Sequence, residues 1–158
     1  MQIDITSTGY PELIAGLRTL ATKFSDFRFI WPKMAAHFYE IEKQTFSSQG
    51  RSTRWAPLSI AYGRYKAAKY PGKPILQATA ATMASLTSKT AGSVFRQDPH
   101  SLELGTTEKT YHQTGGGRLP ARPMIDLNDN DFDAFGKILA EALNQIVLDA
   151  GFQTARIG

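Results

Sequence analysis

The stretch Ser93-Val94-Phe95-Arg96-Gln97-Asp98-Pro99-His100-Ser101-Leu102-Glu103-Leu104-Gly105 decides the fold class. Leu102 and Leu104 alternate with polar neighbours, the period of a half-buried strand, and Asp-Pro between two such runs is turn chemistry. The stretch therefore predicts an antiparallel hairpin, in a chain whose other patterned segments have helical spacing. Helices, a small mostly antiparallel sheet, then a helix make an α+β fold, the sheet packed by N-terminal and C-terminal amphipathic helices.

Upstream, Tyr10-Pro11-Glu12 opens a periodic segment in which Leu13, Leu17, Leu20 and Phe24 give one apolar face. Proline is tolerated in the first turn and glutamate suits a helix N-terminus. Ser25-Asp26 interrupts. A longer pattern follows through Ile30, Met34, Phe38 and Ile41 to about Phe46, with Pro32 placed as a first-turn residue and Ser47 to Gly50 as the stop. From Ile75 a short helix is expected, with Leu76, Ala80, Met83 and Leu86 on one side. Downstream, Tyr111 to Gln113 is expected to add a short strand before the glycines, and Pro123 to Leu127 another segment. Asn128 to Asp133 is a helix start, with Phe132, Phe135, Ile138, Leu139, Ala142, Ile146 and Val147 as its stripe and Gly151 as its end.

Residues 47–74 have no clean period and read as a long loop or arm, with a short helix near 59–69. The arm carries Arg51, Arg54, Arg64, Lys66, Lys69 and Lys73 interleaved with Trp55, Tyr62, Tyr65 and Tyr70. No acidic residue lies between Glu42 and Asp98, whereas Asp126, Asp129, Asp131 and Asp133 crowd one segment. Net charge is only +4, so the asymmetry matters more than the total. Basic residues with aromatics suit phosphates and stacked bases. Arginine and aromatics are equally the residues of protein interfaces, and opposite patches suit copies of one chain docking on each other.

The 158 residues are expected to form one domain, which at this size buries roughly 70% of the surface its unfolded chain exposes. No apolar run approaches the roughly 20 residues of a membrane-spanning helix. The start MQIDITSTGYPEL has neither a basic segment nor an apolar core of a secretory signal. The chain has no cysteine, which suits a reducing cytoplasm.

Chemical readings fail on spacing. Gly115-Gly116-Gly117 leads to Arg118-Leu119-Pro120, without the Lys-Ser/Thr of a phosphate loop and with a proline removing a donor. A flexible turn accounts for it. Asp126-x-Asn128-x-Asn130 starts like a calcium loop, but Asp131 stands where glycine is required and Lys137 where the bidentate glutamate belongs. His37, His100 and His112 lack metal-ligand spacing, no serine sits in a nucleophile motif, and Glu40 and Glu42 point to different helix faces. No catalytic, cofactor-binding or metal-ligating set emerges, and His112 is expected at an interface or in a turn hydrogen bond.

Three pieces occur in order: F-x-x-x-G-x-x-x-x-W-x-P-L-S from Phe46 to Ser59; Ile75-Leu76-Gln77-x-Thr79; and His112-Gln113-x-Gly115 with Pro120-Ala121-Arg122-Pro123. With these the chain, from about residue 12 to 150, resembles the tailed-phage virion morphogenesis, or tail-completion, family of Mu-like phages and prophages. That family commonly has glycine and then leucine after Ile-Leu-Gln, where this chain has Ala80 and Thr82. The resemblance implies a non-enzymatic virion protein of the neck or tail end, assembled in the host cytoplasm. It implies a ring-forming homo-oligomer, expected to be a hexamer, around the DNA channel, in contact with other neck or tail proteins and away from membranes. The alternative reading is a stand-alone basic DNA-binding protein. Candidate subunit-interface or DNA-channel residues are Arg51, Arg54, Trp55, Arg64, Lys66, Lys69, Lys73, His112, Arg118, Arg122, Asp129 and Asp131. Arg122, between two rigid prolines, is expected to make a hydrogen-bonded contact within or between subunits, at a corner that the glycines allow to turn.

Overall fold

A computed structural model describes residues 9–152. Among them lie six helices and one two-stranded antiparallel sheet, an α+β arrangement. Helix α1 (Tyr10–Phe24) takes Pro11 in its first turn with Glu12 beside it. α2 (Trp31–Ser48) likewise begins on Pro32 and ends where Gln49 turns left-handed at φ 58°. No described helix is long and apolar enough to cross a membrane.

The arm contains α3 (Ile60–Lys69), whose start is capped by the Ser59 hydroxyl accepting from the Tyr62 amide at 3.3 Å. α4 (Ala81–Thr87) follows, then β1 (Ser93–Asp98) and β2 (Ser101–Thr106) joined at Pro99-His100. Their register pairs Phe95 with Leu104 and Arg96 with Glu103, the latter through an exposed cross-strand ion pair at 3.0 Å. An isolated hairpin is marginal in water, so it needs a support. α4 and α2 provide it: the Ser85 and Thr106 hydroxyls bond at 2.6 Å, and the Trp31 indole donates to the Asp98 carbonyl at 2.8 Å. α5 (Tyr111–Thr114) is a single turn. α6 (Asp129–Asp149) starts with a full capping box, Asn128 and Asp131 each accepting from the other's amide.

The core gathers Phe38 and Phe46 of α2, Trp55 of the arm, Leu86 of α4 and Met124 ahead of α6. Phe46 and Trp55 meet edge to face at 5.3 Å between ring centres. α1 stands apart from the core, its Phe24 meeting Phe27 at 6.4 Å between ring centres, and among the described residues it packs chiefly on α6. It comes so close that a Cβ on Gly16 would lie 2.7 Å from the Ala150 carbonyl oxygen. Among the described residues its apolar face is largely open: Leu13, Leu17 and Phe24 are 46, 51 and 39% exposed.

Two expectations are corrected. The helix expected from Ile75 begins only at Ala81, because Leu76 and Ala80 both take positive φ (60° and 58°) and the Ile75 amide donates to the Gln49 side chain at 2.8 Å. Tyr111 to Gln113 is helical rather than a strand. Among the described residues no strand pairs with it, and its His112 carbonyl instead accepts from the Arg122 amide at 2.7 Å.

Candidate functional site

Trp55, Gln113 and Arg122 form the centre of a side-chain knot that ties three distant segments together. The Trp55 indole donates to the Pro123 carbonyl at 2.7 Å. Arg122 Nε and Nη2 donate to the Ala56 and Pro57 carbonyls at 2.9 and 3.1 Å. The Gln113 amide serves as a two-way clamp: Nε2 donates to the Ile125 carbonyl at 2.7 Å, and Oε1 accepts from the Met124 and Ile125 amides at 2.8 and 3.1 Å. The Phe46 carbonyl accepts from both Gln49 and Gln77, at 2.7 and 3.1 Å.

The glycines close the knot. Gly116 and Leu119 exchange backbone hydrogen bonds at 2.9 Å, which reverses the chain over Gly117-Arg118. Gly115 has φ 68°, and a Cβ there would sit 2.5 Å from the Ala121 amide nitrogen, so the close approach admits only glycine. The triplet is thus a structural corner, and Arg122 makes its contact within the chain.

Beside the knot, Arg51 grips Asp131 in a two-pronged pair at 2.7 and 2.9 Å. The arginine holds the Asp131 carboxyl below the usual carboxylate range, chiefly by direct hydrogen bonding. Asp126 accepts from the amide and hydroxyl of Ser52 at 2.8 and 2.9 Å. Under these groups lies Glu42, 0% exposed, with neither carboxylate oxygen hydrogen-bonded among the described residues. Burial pushes its carboxyl up to about 8, with Arg51 opposing and Asp126 and Asp131 adding to the rise. The sequence reading missed Glu42. Its place four residues after Phe38, on the apolar stripe rather than opposite it, was the available signal.

A cleft of about 640 Å³ opens between α3, the 75–78 turn, α5 and the glycine corner. Leu58, Ile75, Leu76 and Leu119 give it an apolar lining, and Lys66, Lys109, His112, Arg118 and Arg122 bring basic groups without a single carboxylate. Lys66 and Arg122 are each 4% exposed and have carbonyls as their partners: Arg122 as above, and Lys66 the carbonyls of Lys73 (2.7 Å) and Pro74. Desolvation lowers the pKa of both. The same burial, with the charges of Arg122 and Lys109, lowers that of His112, whose Nδ1 is buried with no hydrogen-bond partner among the described residues.

The candidate residues therefore separate into groups. Trp55 and Arg122 belong to the knot, and Arg51 with Asp131 to the internal ion pair. Lys66, His112 and Arg118 line the cleft, shared by Arg122. Arg54, Arg64, Lys69 and Lys73 are exposed along the arm, Lys69 lying 5.7 Å from the rings of both Tyr65 and Tyr70. Asp129 is exposed on the first turn of α6. Tyr62 of the cleft is one of the arm aromatics of the sequence reading, whereas Lys109 and Leu119 were not singled out as candidate site residues.

The model of the phage virion morphogenesis family matches residues 11–144, from the first turn of α1 well into α6. The chain belongs to that family. Membership assigns it a role in assembling the phage virion. No curated protein and no solved structure matches the chain. Within the family match lie Phe46, Trp55, Gln77, Gln113 and Arg122, the residues that tie the knot.

Proposed function

We propose that this chain is a non-enzymatic structural protein of the phage neck or tail end, completing the tail or joining it to the DNA-filled head as a ring of identical copies. The exposed apolar face that α1 presents among the described residues is the observation that carries this reading. Leu13, Leu17 and Phe24 lie on the exposed side of a 15-residue helix whose main packing partner among the described residues is α6. Apolar residues clustered on one exposed helix face mark an interaction surface. In a head-to-tail ring each copy presents one patch to a different patch of its neighbour, and closure of the rotation gives a ring instead of a filament.

Light scattering on the purified chain tests assembly: a mass several times that of one chain, reduced by Leu17→Glu, is expected. A monomer at every concentration refutes the ring. Electron microscopy of particles assembled without the protein tests the place. Separate heads and tails support the junction, abnormal tail lengths support a terminator, and normal particles refute both.

The exposed cations Arg54, Arg64, Lys69 and Lys73 favour a second role, contact with DNA phosphates in the channel without sequence readout. Tight duplex binding by a monomeric chain, weakening steeply with salt in gel shifts, would favour the stand-alone DNA-binding protein instead.

A further inference from the structure

The cleft combines two features that the fold of one copy leaves unmatched. Its lining is apolar at Leu58, Leu76 and Leu119, and no carboxylate of the described residues stands among the cations that line it. Lys66 and Arg122 are desolvated with carbonyl partners only, and Lys109 and Arg118 form no ion pair among the described residues. Desolvated positive charge without a counterion is costly, and an arriving carboxylate relieves it. A phosphate alone would use the charge but leave Leu58, Leu76 and Leu119 uncovered. The fitting occupant is an apolar or aromatic side chain flanked by carboxylates.

The same chain presents such a group. Asp129, Phe132, Asp133 and Gly136 recur at three- and four-residue spacing on α6, so they share one face. All four are exposed, Phe132 at 59%. Asp131, on the other side of the helix, is the residue taken by Arg51, whereas Asp129 and Asp133 pair with no cation among the described residues. A Cβ at Gly136 would meet nothing within 4 Å, which leaves the face flat for close approach. An aromatic between two unpaired acids thus stands on the surface of a molecule that also carries an apolar hole with unpaired cations.

We infer that the first two turns of α6 of one copy dock in the basic cleft of the next, Phe132 entering the apolar cleft and Asp129 and Asp133 meeting Lys109, Arg118 and the buried cations. The contact is heterologous, as ring closure requires, and it rests on the ring reading given above. It names the partner of a cleft that the α1 face alone leaves unexplained.

Two double variants test it, with folding checked by circular dichroism. Asp129→Lys with Asp133→Lys reverses the knob; Lys109→Glu with Arg118→Glu reverses the hole. Each alone sets like charges together and is expected to raise the concentration for half-assembly at least about tenfold in light scattering. Mixed in equal amounts the two variants regain complementarity at every contact and are expected to assemble with both chains alternating. Phe132→Ala, which leaves all charges in place, is expected to weaken assembly as well. Reversals that leave wild-type mass unchanged, or a mixture that stays dissociated, overturn the inference while the ring stands. A wild-type chain that is monomeric throughout overturns both. Loss of duplex binding in the hole variant with unchanged mass would give the cleft to DNA and overturn the docking.

Discussion

Replacing Glu42 by glutamine should change how stability responds to pH. In the folded chain this carboxyl sits at about 8, against 4.5 when free of the fold. Because the folded value is the higher one, the native state holds the proton more tightly than the unfolded chain. The resulting stabilisation is complete below pH 4.5, declines as pH rises, and is gone above 8. A proton bound in only one state gives a slope of about 1.4 kcal/mol per pH unit between those limits. From pH 5 to 8 wild type should therefore lose about 3 to 4 kcal/mol relative to Glu42→Gln, whose amide does not titrate. Groups common to both proteins cancel in the difference. Urea unfolding of each at unit steps from pH 5 to 9 measures it directly. A difference that stays flat across that range would refute the picture of a desolvated carboxylic acid under Arg51, whatever the absolute stabilities.

Three further outcomes follow from the knot and its neighbours. Gly115→Ala must force a Cβ to 2.5 Å from the Ala121 amide at φ 68°, whereas Gly117→Ala at φ 57° meets nothing within 4 Å. Thermal melts should show the first costing more than about 3 kcal/mol and the second only the left-handed strain of about 1 to 2 kcal/mol. Arg51→Ala and Asp131→Asn should couple in a double-mutant cycle by about 1 to 3 kcal/mol, since either change alone leaves a largely buried partner charge. Arg122→Lys should not rescue Arg122→Ala in denaturant midpoint, because one ammonium cannot reproduce the planar reach to Ala56 and Pro57.

Much of the fold was legible because local signals agreed with global ones. α2 and α6 combine an apolar stripe with a first-turn proline or a capping box, and the hairpin combines alternation with Asp-Pro. The failures sit where long-range bonds override local pattern. Ile75 to Ala80 has helical spacing, but Gln49 claims the Ile75 amide and two residues turn left-handed. Tyr111 to Gln113 reads as a strand but has no strand to pair with among the described residues. In the site, composition could mark Arg51 to Lys73 as basic, yet not which cations turn inward. Trp55 is buried while its neighbour Arg54 is exposed, and Lys66 folds back on carbonyls of its own segment while Lys69 stays outside. Glu42 was hidden for the same reason: a charged residue on an apolar stripe acquires its meaning only from what the other segments bring against it.

Trp55, Gln113 and Arg122, which carry much of the family resemblance, are hydrogen-bonded inside one chain and act as scaffold, whereas other motif residues, Leu58, Leu76 and His112 among them, line the cleft. The two parts are still coupled. Arg122 and Trp55 hold the 55–57 strip against the 122–123 strip, and Pro57 and Arg122 from these strips both line the basic cleft. Loosening the knot should therefore spoil the cleft and lower stability together. Rim changes such as Lys109→Glu with Arg118→Glu should lower assembly with the melting temperature unchanged, since those side chains make no side-chain hydrogen bond among the described residues. Plotting assembly midpoint against melting temperature for both sets of variants separates the cases. Knot variants should fall on a common slope, and rim variants on a vertical line at the wild-type temperature. Rim variants that fell on the same slope would mean that the cleft is a consequence of the scaffold's packing and not a surface for a partner.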